Sequence, residues 1–313
     1  MPDGFLVVDK PAGITSHDVV ATVRRTFGMK RVGHTGTLDP FATGVLPIAL
    51  GAATKAIPFL DEAVKEYQAV MRLGAATDTL DCTGSIISSG DWSNVSAALI
   101  QELFTRFTGT ITQIPPMYSA VKQGGVPLYR LARKGETVER QERQVTIHSL
   151  CVDRLNLPEI AFTVRCSRGT YVRTLADDIG RALGCGAHLV ELRRTASGLF
   201  NLSMAIPFAA LSAAEAAVEL ERRLLPPVQA LGHVKSVHLT ATGCSRTRHG
   251  IAPLPEDLSP LDRHPLPGEQ LLLLCHDRLA AVAEMVAPDG TPATQSIRLL
   301  RVFAQECPLH ADR

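Results

Sequence analysis

An α+β fold with a small β-rich unit towards the C-terminal end is what this sequence predicts, and three observations carry the prediction. Apolar or alternating runs that read as strands are interleaved with stretches of helical spacing along most of the chain. After Pro226-Pro227, which follow two helical runs (Ala213 to Leu225 the second), short strands and turns take over. A length of 313 residues suits one large and one small domain.

Phe5 to Val8 is a short apolar run that ends in the polar, turn-forming string Asp9 to Gly13, so a strand enters a loop. Thr15 or Ser16 is placed to cap the next helix, whose apolar positions are Val19, Val20, Val23 and Phe27. Then comes V-G-H-T-G-T-L-D-P-F-A-T-G-V-L-P, Val32 to Pro47. Gly33, Gly36 and Gly44 allow backbone angles and close approaches that a Cβ forbids, and Pro40 drives Asp39 towards an extended conformation. A lone carboxylate thus stands on a tightly turned loop ahead of the apolar run Val45 to Leu50. Asp-Pro by itself is an ordinary turn, and no second acid lies near enough for the carboxylate pair of a glycosidase.

Glu66 to Arg72 alternates as a strand, with Tyr67 near its start. Asp78 and Asp81, in T-D-T-L-D-C-T-G, read as hydrogen-bonded turn residues, because two loop carboxylates are too few for a hard cation. Ser93 to Phe107 has helical spacing, with Ser93 or Asn94 as its cap. The proline-stiffened I-P-P-M-Y-S-A-V-K leads into a basic, helix-like L-Y-R-L-A-R-K-G. Gln144 to Asp153 and Glu159 to Cys166 read as a strand pair joined by the turn R-L-N-L-P. Gly169 breaks the second strand, and Leu175, Ile179 and Leu183 then make one helical face that Gly184 ends. V-K-S-V-H-L-T, L-L-L-L-C-H-D-R-L-A-A-V-A-E-M and S-I-R-L-L-R-V-F are the strands of the terminal unit, with His276-Asp277 as a turn and five prolines in a loop between Pro253 and Pro267.

A formal net charge of +1 means that any surface for a polyanion must be local. Two stretches qualify. Arg130 to Arg143 holds five basic and three acidic residues; Arg165 to Arg194 holds six arginines against three acids and is the better candidate for phosphate contacts. The seven cysteines are scattered, with no C-x-x-C, which argues against a zinc site and a disulfide framework and fits a reducing, cytoplasmic location. No apolar run approaches the length of a membrane span.

The string from Gly33 to Pro47 resembles the motif of the pseudouridine synthase family that contains bacterial tRNA pseudouridine-55 synthase, and it matches without a gap. V-D-K-P-x-G-x-T-S, T-D-T-x-D-x-x-G, P-P-M-Y-S-A-V-K, L-Y-x-x-A-R-x-G and R-C-S-x-G-T-Y-x-R match as well. The resemblance implies a mixed, largely antiparallel sheet flanked by helices in a catalytic domain over residues 1–231. An RNA-binding insertion is implied at about 115–143, and a PUA-type RNA-binding domain over 232–313. It implies that Asp39 is the essential residue, with Arg173 as its ion-pair partner and Tyr171 as the base that removes the C5 proton. Tyr67 would stack on the extruded uracil, His34 would fill the space the base leaves or bond a phosphate, Leu192 would be an apolar wall, and Lys10 with Pro11 would support the loop.

Turning uridine into pseudouridine breaks an N-glycosidic bond, rotates the uracil and rejoins it through carbon. Nothing is oxidised and no group is imported, so neither cofactor nor metal is expected. The implied partner is the T arm of tRNA, with no protein partner and a monomeric chain. Whether Asp39 attacks base or sugar stays open. The rival readings are a guide-RNA-dependent synthase, whose usual lysine-rich extensions this chain lacks, and a tRNA-folding factor with secondary catalysis.

Overall fold

In the computed structural model, which describes residues 2–213, 216–260, 265–286 and 296–303, the N-terminal apolar run is the strand β1 (Gly4–Lys10). It continues past the expected stop at Val8, so Lys10 is part of the strand rather than the loop after it, and fully buried. The helix α1 (Ser16–Thr26) follows, with Thr15 as N-cap: its hydroxyl accepts the Asp18 N–H at 3.1 Å, and the Asp18 carboxylate accepts the Thr15 N–H at 2.8 Å.

β2 (Val32–His34) and β3 (Thr43–Leu50) bracket the glycine-rich loop. β4 (Val64–Leu73) is followed by a small hairpin, β5 (Ala75–Thr77) with β6 (Ile86–Ser89), and then by α2 (Ala97–Arg106). The cap of α2 is Ser96, whose hydroxyl accepts the Leu99 N–H at 3.2 Å. Neither expected cap, Ser93 or Asn94, serves: Ser93 bonds Asp91 through both its N–H and its hydroxyl, and the helix starts later. β7 (Gly109–Gln113) precedes a second hairpin, β8 (Lys122–Gln123) with β9 (Val126–Pro127), and the short α3 (Leu128–Ala132). β10 (Arg143–Asn156) and β11 (Glu159–Ser167) pair out to Asn156 and Glu159, which leaves Leu157-Pro158 as the turn. α4 (Val172–Ala182), β12 (Ala187–Ser197), β13 (Phe200–Asn201) and β14 (Ile206–Pro207) complete this part, with α5 (Ala216–Glu221) and α6 (Pro227–Ala230) after it.

The sheet has ten strands, eight of them in the order β14-β1-β3-β12-β4-β11-β10-β7, with β2 on β3 and β13 on β12. Only β1–β14 and β3–β12 are parallel, so it is mixed and largely antiparallel, as expected. Side chains alternate between its faces. Leu6, Val8, Leu46, Ile48, Tyr67 and Leu192 face a core shared with α1, α2 and α4, where Phe104 meets Phe162 edge-on at 5.8 Å. Phe5, Val7, Val45 and Ala49 face the other way.

That second face is covered by the C-terminal sheet: β15 (Lys235–His238), β16 (Gln270–Cys275), β17 (Arg278–Val286) and β18 (Ser296–Val302). Leu272, Leu274, Leu279, Val282 and Phe303 join Phe5, Val7 and Val45 in one cluster. His276 and Asp277, at φ 48° and 61°, make the expected turn between β16 and β17. α7 (Ala241–Arg248) was not legible among the expected short strands. It also corrects the expectation of unpaired thiols: Cys244 on α7 and Cys275 at the end of β16 form a disulfide, their Cα atoms 5.8 Å apart. A helix laid on a strand brings together cysteines 31 residues apart, which scatter along the chain cannot reveal. Cys307, residues 214–215 of the second helical run and residues 261–264 of the proline-rich loop lie outside the described residues.

Candidate active site

The loop bearing Asp39 is tied down from three directions. Ser16, at the start of α1 and buried, accepts the Leu38 N–H at 2.9 Å and donates to the Leu38 carbonyl at 3.1 Å. The Lys10 ammonium donates to the carbonyls of Pro11, Ile14 and Pro40 at 2.9, 2.8 and 3.2 Å, and Gly13 N–H also reaches Pro40. Those three bonds use all of its protons, so Lys10 holds the loop from below and has no donor left for RNA. Burial pushes it down to about 8. From β12, Arg194 donates through Nε to the Val45 carbonyl at 2.7 Å and through Nη2 to Gly36 at 3.2 Å. Gly44, at φ 100°, lies against the Arg194 backbone where a Cβ has no room.

Asp39 itself is gripped by Arg173. Nη2 donates to Oδ1 at 3.0 Å and Nε lies 2.9 Å from Oδ2, a bidentate pair across 134 residues of sequence. Arg173 is 3% exposed while 33% of the Asp39 side chain stays open, so the carboxylate is reachable and its partner is not. The guanidinium is aimed by three more acceptors: the Thr79 carbonyl at 2.9 Å, the Tyr118 carbonyl at 2.8 Å and Asp81 Oδ2 at 3.5 Å. Burial pushes the Asp39 carboxyl above its ordinary value, and Asp81 adds to that; Arg173 and Lys10 oppose it.

Tyr67 on β4 and Tyr171 at the N-terminus of α4 both feel the Asp39 charge, and burial raises both phenols. Arg194 stands beside the Tyr67 hydroxyl, while Ser119 and Arg143 stand beside Tyr171. Leu192 is buried on β12, where Ala69 of β4 pairs with it in the same register that sets Arg194 beside Tyr67. His34 meets the exposed His17 edge-on at 5.4 Å, and burial, with His17, Arg194 and Lys65 nearby, takes it down to about 4. At neutral pH it is an uncharged ring, better suited to stacking than to holding a phosphate.

Asp39, Arg173, Tyr67 and Tyr171 thus come together, with Leu192 and His34 on the strands around them. One expectation is extended and another corrected. Asp81 is a buried partner of Arg173 as well as a turn residue, its Oδ1 taking Thr79, Thr83 N–H and the Thr83 hydroxyl. The arginine excess of residues 165–194 is mostly not a phosphate surface. Arg173 and Arg194 are buried, Arg193 pairs with Asp9 at 2.7 Å and Arg181 with Asp177 at 2.8 Å. Ser16, Asp81, Gln113 and Arg194 were missed as site residues, although Ser16 and Asp81 sit within matched strings and Gln113 lies two residues before one. Among the described residues no metal-binding group of three His, Cys, Asp or Glu occurs.

This architecture recurs in solved structures. A chain in a Cbf5-Nop10-Gar1 complex is 28% identical with a TM-score of 0.71, and one in an H/ACA RNP bound to a substrate RNA containing 2'-deoxyuridine is 26% identical with a TM-score of 0.70. Each comparison covers 96% of this chain and 84% of the other. Fold and site define a pseudouridine synthase. Residues 24–172 match the model of the TruB family pseudouridylate synthase N-terminal domain, and 173–231 that of the tRNA pseudouridylate synthase B C-terminal domain. Proteins named tRNA pseudouridine synthase B from Geotalea uraniireducens and Geobacter sulfurreducens are each 52% identical over 302 residues, covering 96% of this chain and 97% and 99% of theirs. The chain belongs to the TruB family of pseudouridylate synthases.

Proposed function

We propose that this chain isomerises uridine 55 in the T loop of tRNA to pseudouridine, and that Asp39 is the group on which the reaction turns. The bidentate Asp39–Arg173 pair carries the reading, since an arginine keeps its proton and two N–H donors on two oxygens describe a carboxylate. The uridine leaves its stack at a cost of about a few kcal/mol. Tyr67 stacks on the extruded uracil, Leu192 backs it, and neutral His34 fills the vacated space. Asp39 takes or stabilises the positive charge as the N1–C1′ bond breaks. Once C5–C1′ has formed, Tyr171 removes the C5 proton and N1 regains one. No step imports a group or an electron, so the reading needs no cofactor, metal or protein partner, and it suits a cytoplasmic monomer.

The reading divides the chain at residue 231 into a catalytic domain, with its RNA-binding insertion near 115–143, and a PUA-type RNA-binding domain. The likeness to Cbf5 complexes supports a second reading, a guide-RNA-dependent synthase. One experiment tests both: unmodified tRNA transcript labelled at uridine C5, with no guide RNA added. Wild-type protein should release the label and Asp39→Asn should not, while the variant still binds tRNA. Release by Asp39→Asn at the wild-type rate defeats the assignment, and release only with guide RNA favours the second reading.

A further inference from the structure

Lys65 stands two residues before Tyr67 on β4, so both side chains leave the same face of the sheet. Its register partner on β11 is Cys166, a buried member of the core that also holds Tyr67 and Leu192. From there the side chain reaches the Asp39 loop: a Cβ added at Gly36 would lie 2.8 Å from Lys65 Nζ and 3.6 Å from Arg194 Nη1. Gly36 is a glycine because this ammonium takes the room a side chain needs. Among the described residues Nζ makes no hydrogen bond and no ion pair. Lys10, by contrast, spends its three protons on three carbonyls, and Arg194 donates to the carbonyls of Val45, Gly36 and Thr37. Arg168 is exposed at the same end of β4, its N–H on the Ala63 carbonyl at 2.9 Å, and it too has no ion pair among the described residues.

We propose that Lys65 is a phosphate-binding residue of the site, its ammonium donating to an oxygen of a phosphodiester that flanks the extruded uridine, with Arg168 as a second, outer cation. The inference rests on the proposed reaction, which puts that uridine on Tyr67. Two residues along a strand span about 7 Å, so an ammonium set that far from the stacking ring can meet the backbone of the nucleotide whose base is stacked. The charges around Nζ favour an anion. Lys65, Arg168 and Arg194 gather here against one carboxylate, Glu62, which the Ser197 hydroxyl already engages at 3.4 Å. Burial and Arg194 bring the lysine down to about 8, which leaves it charged at neutral pH. A phosphate relieves the repulsion among these cations, whereas a neutral uracil carbonyl does not. The uncharged His34 ring nearby has no charge to offer, and Lys65 supplies it.

The test crosses Lys65→Met with tRNA carrying a single uncharged methylphosphonate linkage, placed just before or just after the target uridine, and reads the tRNA dissociation constant of the full-length protein against salt. Lys65→Met should weaken binding about 10-fold and lower the slope of log affinity against log salt by roughly one. Lys65→Arg should keep the wild-type slope. For one of the two linkages, methylphosphonate should cost wild-type protein about as much as the variant loses, and should cost Lys65→Met nothing further. A wild-type slope in Lys65→Met, or an equal methylphosphonate loss in both proteins, overturns the assignment. Should the variant fold poorly, wild-type protein decides alone: indifference to both neutral linkages overturns it as well. Failure of wild-type protein to release label from unmodified tRNA would instead defeat the proposed reaction, and that readout is separate from the salt slope.

Discussion

At the scale of single residues, the site is a contest between burial and one guanidinium. Burial lifts the Asp39 carboxyl above its ordinary value of 3.8, and Arg173 draws it back. The sign follows directly. As pH falls, Asp39 takes up its proton earlier than a solvated aspartate does, so the single-turnover rate should fall about tenfold per unit on the acid side. Arg173→Lys keeps the charge and loses the two-pronged grip, which should move that acid limb to higher pH and lower the plateau by about 10- to 100-fold. A pH profile of single-turnover rates checks both; an unmoved limb in the lysine variant would show that the second N–H contact is idle. By the same sign, this carboxyl adds stability at low pH and loses it as pH rises through its folded value. The sequence displays Asp39 plainly, as a lone acid among glycines, but nothing local to Lys10, Asp81 or Arg194 shows that each is buried. Their burial comes from neighbours between about 30 and 160 residues away, such as Pro40 for Lys10 and Gly36 for Arg194.

At the scale of elements, α1 and β12 act on the loop through its backbone. Ser16 is the clearest case, a small polar residue that gives two hydrogen bonds to Leu38 from a buried position. Ser16→Ala should cost about 1–3 kcal/mol, because it leaves a buried N–H and carbonyl unpaired. Equilibrium urea denaturation reads the loss, and a midpoint equal to wild type would mean that water replaces the hydroxyl. Strand and helix positions were legible in the first 200 residues because their periods are strong: the alternation of β4 and the spacing of α4 both appear where expected. Ends were less so. Ser96 displaced Ser93 as a cap because Asp91 captures Ser93 first, and β10 runs on to Asn156 because its partner does. The helix α7 has little apolar patterning, with three buried residues that are Gly243, Cys244 and Thr247, so its sequence carried no helical stripe.

At the scale of the whole molecule, two sheets share one apolar layer. Leu272, fully buried, packs from the small sheet into the cluster that holds Phe5, Val7 and Val45 of the large one. Leu272→Ala should cost about 2–5 kcal/mol and should lower the thermal transition of the entire chain as a single event. If the small sheet melted alone while the rest held its midpoint, the shared layer would not be a cooperative one. The change of composition after Pro226-Pro227 announced the second sheet, but nothing local to either segment announced that each is the other's cover. The shared layer leaves no hinge where the two sheets meet. Tilting one sheet against the other would open Phe5, Val7, Leu272 and Phe303 to water together, so the two sheets move as a single body.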